Sequence, residues 1–468
     1  MRKKPTIYPI IFLLTLIFLV GGTYLMIRYA QGYRPTKTGA VRGTGLLSAT
    51  SYPPAAEVYI NDRLTSATDN TLNLDPGLYN ISLKKDGYHT WSKQIQIIKE
   101  LVTETSAQLF PTSPSLEPLT YTGAIATIPS PDGTQLAFTV ASASATTKNG
   151  LYVQDLTTSA ISLNKTARQI SRTEPGFDYT QATYTWSPNG SEVLVAFNSG
   201  SHILLDSSRF SESGGIKDVT VTLPQILSEW ELELAREEQV QLLKLPEFMA
   251  SIATSSATNL YFSPDGKRLL YQSLADFTIP EGLLPLLPSS STQLEHRQVV
   301  AGSWYVYDLK EDKNFLVTQG SLPAPSPSAK LSKTLLKKTQ VAPPFTPSKL
   351  TLLANFQDPI PAELISSPSA FKKLQSGVSI NESIALFNAQ YSPIFVGNIQ
   401  WYPDSAHLIL TSDEGIDIVE YDGTNRLTIY GGPMDKSIVY PWPDGSKLIT
   451  KIQFSPDTIP NLYTIKLK

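Results

Sequence analysis

The chain contains no cysteine among its 468 residues. Disulfides, thiolate metal sites and cysteine nucleophiles are therefore excluded. Histidine is scarce, with only His89, His202, His296 and His407. None has the i, i+4 spacing of a helical zinc site and none pairs with a nearby carboxylate motif, so they read as surface or core residues. No G-x-S-x-G elbow, P-loop or G-x-G-x-x-G occurs. That removes the signatures of a propeller-capped serine hydrolase and of nucleotide binding. Gly43-Thr44-Gly45 is too short to cradle a phosphate. A dominant charge is also missing. The net charge of -3 gives no reason to expect nucleic acid as a partner.

What is present begins with one long apolar run. Tyr8 to Ile27 carries no charge over twenty residues and follows Arg2, Lys3 and Lys4. At helical rise it spans a bilayer core of roughly 30 Å. A cleaved signal peptide and a buried helix are the rivals. Against the first, the stretch is long and Arg28-Tyr29-Ala30 makes a poor cleavage site. Residues 1–30 therefore read as a single-pass membrane anchor. The basic cluster places that end inside. Arg28, Arg34, Lys37 and Arg42 nearly cancel the bias, yet the larger part is expected outside. The few residues ahead of the helix argue against a signalling output of the chain's own.

Hydrophobic residues make up 41% of the chain, enough for two or three folded domains. After a polar linker at 31–44, residues 45–112 read as short strands. Glu57-Val58-Tyr59-Ile60-Asn61 and Tyr79-Asn80-Ile81-Ser82-Leu83 alternate as half-buried strands do, and Gln94-Ile95-Gln96-Ile97 supplies another. Leu72-Asn73-Leu74-Asp75-Pro76-Gly77 and Lys85-Asp86-Gly87-Tyr88 end in turns. A small β-sandwich is expected.

The run Pro53-Pro54-Ala55-Ala56-Glu57-Val58-Tyr59-Ile60-Asn61, with Pro76-Gly77-Leu78-Tyr79 and Asp86-Gly87-Tyr88, resembles a PEGA domain. Pro54-Ala55-Ala56-Glu57 stands where that family shows Pro-Glu-Gly-Ala. The resemblance implies an extracytoplasmic, surface-associated sandwich and no chemistry.

From residue 115 to 468 a phrase recurs. It reads Ser130-Pro131-Asp132-Gly133, Ser187-Pro188-Asn189-Gly190 and Ser263-Pro264-Asp265-Gly266. Looser copies are Tyr402-Pro403-Asp404-Ser405 and Trp442-Pro443-Asp444-Gly445. Pro presets a turn torsion, Asp or Asn caps the turn, and Gly tolerates positive φ. A strand-like run follows each copy, so the phrase is a hairpin turn repeated along the chain. Repeated antiparallel units that cannot bury their faces alone make a propeller. The units are similar to those of TolB-type and WD40-like propellers. The prolines lie 57, 76, 139 and 40 residues apart. The longest gap implies an inserted loop plus a blade that lost the phrase, with Ser383 to Asn388 as part of it. Six blades are expected, with five and seven as alternatives. Glu117-Pro118-Leu119-Thr120 is expected to close the ring against the C-terminal blade.

Two insertions interrupt the repeats. One, at about residues 224–252, is helical: Ser228-Glu229-Trp230-Glu231 reads as a capping box starting a helix that runs to Pro246. The other, residues 321–349, is rich in Pro, Ser and Lys and holds no acidic residue. Its Lys330, Lys333, Lys337, Lys338 and Lys349 suit either a solvated loop or contact with an anionic envelope polymer or lipid headgroups.

No catalytic, cofactor-binding or metal-ligating residue is expected. Asp132, Asp265, Asp404 and Asp444 recur because each caps its own turn, and no D-x-D-x-D calcium loop accompanies them. Glu311-Asp312 reads as a hairpin tip. Tyr59, Tyr79, Tyr88 and Trp91 read as sandwich core, with a sugar-stacking platform as the alternative. The whole reads as a mainly β, membrane-anchored envelope protein that binds or scaffolds an envelope protein, peptide or glycan and catalyses nothing. A structural surface component, or an exported propeller enzyme with a hidden site, are the alternatives.

Overall fold

The structure is a computed structural model and describes residues 8–30, 33–35, 41–157, 167–285, 287, 291–319, 384, 387 and 398–468. The Pro/Ser/Lys-rich segment 321–349 and its five lysines lie outside the described residues. The chain divides into two compact units, residues 1–110 with 286–293, and residues 111–285 with 294–468.

In the first unit, helix α1 (Tyr8–Ala30) follows from the apolar run. Its segment Ile10–Tyr29 has a mean hydropathy of 2.5 and is long and apolar enough to cross a membrane. The expected plain linker at 31–44 instead contains a hairpin, β1 (Tyr33–Pro35) with β2 (Val41–Gly43). The Tyr33 hydroxyl donates to the Glu100 carboxylate. Arg28 and Lys99 stand 4.5 and 5.1 Å from the centre of the Tyr33 ring. This cluster gives the polar stretch a local reason to fold.

Seven strands follow: β3 (Gly45–Tyr52), β4 (Glu57–Ile60), β5 (Arg63–Ala67), β6 (Asn70–Leu74), β7 (Gly77–Lys84), β8 (Trp91–Ile97) and β9 (Val102–Gln108). They form two sheets, β6-β3-β9 and β5-β4-β7-β8, with β3 and β9 parallel. Alternation places Leu47 and Ala49 from one sheet against Val58, Ile81, Leu83, Ile95 and Ile97 from the other. The expected sandwich is present.

The second unit opens with β10 (Leu116–Pro118). Blade 1 comprises β11 (Ile125–Pro129), β12 (Gln135–Val140), β13 (Gly150–Asp155) and β14 (Arg168–Arg172). Blade 2 comprises β15 (Thr183–Trp186), β16 (Glu192–Ala196), β17 (His202–Asp206) and β18 (Lys217–Asp218). Two helices, α2 (Leu223–Leu242) and α3 (Glu247–Ser255), precede blade 3. Blade 3 contains β19 (Ala257–Phe262), β20 (Arg268–Ser273), β23 (Trp304–Asp308) and β24 (Lys313–Thr318). A two-stranded ribbon, β21 (Phe277–Thr278) with β22 (Gln298–Val299), interrupts it. Blade 4 comprises β25 (Ile399–Trp401), β26 (His407–Thr411), β27 (Ile416–Glu420) and β28 (Leu427–Tyr430). Blade 5 has β29 (Asp435–Pro441), β30 (Lys447–Ile452) and β31 (Asn461–Lys466), and β10 completes it by pairing with β31. The first strand of the propeller thus closes against its last, as the sequence leads one to expect.

Every blade is buried on both faces, which is why its strands read as unbroken apolar runs. In β16, Val193 and Val195 face blade 1, while Leu194 and Ala196 face the other way. In β12, Ala137 faces blade 2, while Leu136 and Phe138 face blade 5. Blades 3 and 4 share a core through Leu270, Trp304 and Val306 against Ile399, Trp401 and Leu408.

Blades 2 and 3 are treated differently. The outer face of blade 2 is covered by Leu223, Leu227 and Trp230 of α2. The corresponding face of blade 3, with Leu269, Tyr271, Tyr305 and Tyr307, is covered by Leu245 and by Met249, Ala250 and Ala253 of α3. The helices take the cover that a neighbouring blade supplies elsewhere.

The described residues form five four-stranded blades, where six were expected with five and seven as alternatives. Blades 3 and 4 pack directly on each other. Of Ser383 to Asn388, the described residues Ile384 and Phe387 are helical and pack with Trp230 of α2. Helix α2 also starts five residues ahead of the Ser228 capping box, with Thr222 at its N-cap and Pro224 in its first turn. Burial of Leu223 and Leu227 against blade 2 outweighs the local cap signal. Pro246, where the sequence reading ended its helix, then separates α2 from α3.

If α2 is cover rather than decoration, Leu227→Ala should destabilise the propeller by about 2–4 kcal/mol. Val240→Ala, on the exposed side of the same helix, should stay within about 0.5 kcal/mol. Chemical denaturation of the two variants measures the difference.

Candidate functional site

The recurring phrase builds one turn five times. Ser130 Oγ donates to Asp132 Oδ1 at 2.5 Å and accepts from Gln135 N at 2.9 Å. Asp132 Oδ1 accepts from Thr134 N at 3.1 Å, and Gly133 N donates to Ser130 O at 3.0 Å. The same bonds recur at Ser187 and Asn189, and at Ser263 and Asp265. The fourth turn residue has positive φ throughout: Gly133 +73°, Gly190 +67°, Gly266 +67°, Ser405 +61° and Gly445 +68°. Asp132, Asp265, Asp404 and Asp444 therefore cap their own turns, as expected.

The looser copy at Tyr402 has lost the serine hydroxyl. His407, at the position of Gln135 and Arg268, replaces it: His407 Nδ1 lies 2.6 Å from Asp404 Oδ2. The sequence reading paired no histidine with a carboxylate, and this contact corrects it. The pair is an internal turn cap, with His407 only 4% exposed. Burial alone would raise the Asp404 carboxyl. The hydrogen bond and charge of His407, with two backbone N–H groups, outweigh burial and hold it below the ordinary range. Asp132 is likewise lowered, burial being outweighed by hydrogen bonds from Ser130 and Thr134.

The turns are also stitched from blade to blade. Trp186 Nε1 of blade 2 donates to Ile128 O of blade 1 at 3.2 Å. Trp401 Nε1 of blade 4 donates to Tyr261 O of blade 3 at 2.9 Å. Both acceptors sit two residues before the serine of their own phrase. Ser405, standing where other copies have Gly, accepts from Asp265 N through its Oγ at 3.0 Å. Its carbonyl accepts from Arg268 at 2.9 Å. Blade 4 reaches blade 5 through Gln400 Nε2, 2.5 Å from Val439 O, and through the Tyr402 hydroxyl on Gly445 O. Gly133 is needed for space as well as for φ, since a Cβ there would lie 2.1 Å from the Tyr440 hydroxyl.

Where the turns converge they enclose a depression of about 360 Å³. Blade 1 contributes Pro131, Asp132 and Gly133. Blade 3 adds Tyr261, Phe262 and Pro264, and blade 4 adds Ile399, Gln400, Trp401 and Pro403. Blade 5 supplies Tyr440, Pro441 and Pro443. Asp132 is the one formally charged residue in this lining. The Tyr440 side chain is 6% exposed, and burial, with the nearby Asp132 charge, raises its phenol above the ordinary value. Burial raises Tyr261 as well. Both are neutral hydrogen-bonding groups at physiological pH.

Other residues singled out from sequence do not meet here. Trp91 is sandwich core, and Tyr79 and Tyr88 pack against that core. Tyr59 lies on the opposite face of the sheet from Val58 and Ile60, under Lys84 at 4.4 Å. The four aromatics therefore make no common platform. Glu311-Asp312 is a hairpin tip, but Asp312 turns inward. It accepts from the Tyr307 hydroxyl at 2.8 Å and from Leu283 N at 2.9 Å. His202 is buried, while His89 and His296 are half-buried. No group of three His, Asp or Glu among the described residues could hold a metal ion.

The fold and turns define a β-propeller preceded by a small β-sandwich. Residues 44–113, the sandwich, match the PEGA domain family. Among solved structures, a TolB from Agrobacterium tumefaciens is 12% identical, with 76% of this chain and 79% of that one covered and a TM-score of 0.20. TolB from Acinetobacter baumannii is 10% identical, with 83% and 59% covered and a TM-score of 0.21, so this chain spans less than two thirds of that protein. An oligogalacturonate lyase from Vibrio parahaemolyticus is 9% identical, with 84% and 86% covered and a TM-score of 0.22. The propeller architecture rests on the sheet order above and not on these likenesses. A search of curated proteins finds no match.

The Asp404 geometry carries a pH dependence. A carboxyl whose folded value is depressed contributes stability above its unfolded value, about 3.9, and loses it as pH falls through the folded value. The denaturation midpoint of the propeller should therefore drop on acidification below about pH 4. Asp404→Asn should cost about 1–3 kcal/mol at pH 7 and flatten that acid limb. Denaturation midpoints from pH 7 to pH 2.5 give both readings.

Proposed function

We propose that the chain is a membrane-anchored, extracytoplasmic binding protein of the cell envelope, and that the depression at the propeller turns is its binding site. The observation carrying this reading is the lining itself. Four rigid blades bring apolar, aromatic and proline side chains to one concave place. A sizeable apolar concavity with a few polar groups is the usual form of a binding site.

Helix α1 supports anchoring, because Ile10–Tyr29 has the length and hydropathy of a bilayer span. The PEGA match at 44–113 supports an extracytoplasmic, envelope setting. A role without catalysis is supported by what the lining offers. Asp132 has its oxygens occupied by Ser130 and Thr134, and no histidine stands in the lining. A general acid or base needs a proton-transferring group free to face the substrate.

The test uses the full chain in its own membrane, with a photoreactive residue at position 264 in the lining. A discrete cross-linked product is expected. It should disappear when Pro131→Arg blocks the depression, because the exposed Pro131 can be exchanged at a cost under about 1 kcal/mol. An unchanged pattern in the Pro131→Arg protein, or no product at all, would contradict the proposed site.

A further inference from the structure

We propose that the depression recognises a proline-rich segment of a partner protein in the polyproline II conformation. This inference rests on the binding reading above and narrows its ligand.

The first observation is a pair of unused donors. Neither the Tyr261 hydroxyl nor the Tyr440 hydroxyl has a hydrogen-bond partner among the described residues, although both line the depression and Tyr440 is 6% exposed. Neither hydroxyl is sealed in the core, so both can donate to acceptors that arrive with a ligand. The second observation is the surrounding surface. It is lined by Trp401, the two tyrosines, Phe262, Ile399 and five prolines.

A polyproline II segment answers both features. It has no internal hydrogen bonds, so its carbonyls are free acceptors. Its rings pack against aromatic and proline side chains, and it brings little conformational entropy to lose on binding. Other ligand classes fit less well. An anionic ligand would meet Asp132 and no Lys or Arg in the lining. A neutral glycan needs many amide or hydroxyl partners, and beyond the two phenols the lining has only Gln400, whose Nε2 already donates to Val439 O, and Asp132, whose oxygens are already bonded.

The test is titration of the detergent-solubilised full chain into fluorescein-labelled decaproline, read by anisotropy. A Gly-Ser peptide of equal length, oligoglutamate and a neutral oligosaccharide serve as comparison probes. Saturable binding of decaproline alone is expected. Tyr440→Phe and Tyr261→Phe keep the rings and remove the hydroxyls. Each should weaken decaproline roughly fivefold, as expected for loss of one hydrogen bond, without lowering the thermal unfolding midpoint. The inference is overturned if decaproline fails to bind, if Gly-Ser binds equally, or if both Phe variants bind unchanged. Should the position-264 cross-link persist while decaproline fails, only the ligand class falls. Should the cross-link fail too, the site itself falls.

Discussion

Each propeller blade has two apolar faces, and both must be removed from water. That constraint governs the second unit of this protein. A blade's hydrophobic side chains alternate to either side of the sheet, as Val193 and Leu194 do, so a free blade would expose one face whichever way it turned. Neighbouring blades solve the problem for blades 3, 4, 5, 1 and 2 in ring order. Between blades 2 and 3 the solution is helical, with α2 covering one face and α3 the other. At blade 5 the chain ends meet a different need, the open edge, where β10 arrives from the other end of the unit and pairs with β31 to complete the sheet.

The turns turn this arrangement into a site. A Pro-Asp-Gly bend is rigid because its torsions and hydrogen bonds are all locally determined. The bends of blades 1, 3, 4 and 5 meet at one depression, and bonds such as Trp401 Nε1 to Tyr261 O fix adjacent blades at that level. The prolines that make the bends also make the wall. Scaffold and candidate binding surface are therefore the same residues, which leaves few polar groups for chemistry and suits recognition.

Much of this was legible in the chain because its signals are local. The β-turns announce themselves through Pro131, Asp132 and Gly133, and the sandwich strands through alternation at Glu57 to Asn61. What was not legible depends on partners distant in sequence. Ser405 looked like a degraded glycine, yet its hydroxyl holds Asp265 N of the preceding blade. His407 looked isolated, yet it repairs the cap that Tyr402 had lost. The start of α2 was misplaced because Leu223 and Leu227 are held by blade 2, not by the Ser228 box. Ser383 to Asn388 was read from spacing as part of a blade, and spacing could not show that Ile384 and Phe387 are helical and pack with Trp230. The depression needed the ring itself, since its lining comes from four separate stretches of chain.

Closure of the ring is the claim on which the site depends, and the absence of native cysteine makes it directly testable. Pro118 and Tyr463 face each other across β10 and β31. The bonds at Leu119 N to Leu462 O and at Lys466 N to Ser115 O place them at a non-hydrogen-bonded pair, where Cα atoms lie about 4.5 Å apart. That separation suits a disulfide. In a chain carrying Pro118→Cys and Tyr463→Cys, mild oxidation should form one intramolecular disulfide in nearly all molecules, seen as a mobility shift reversed by reductant. Two thiols that stay reduced and react freely with a maleimide after oxidation would contradict closure, and with it the convergent turns and the site they enclose.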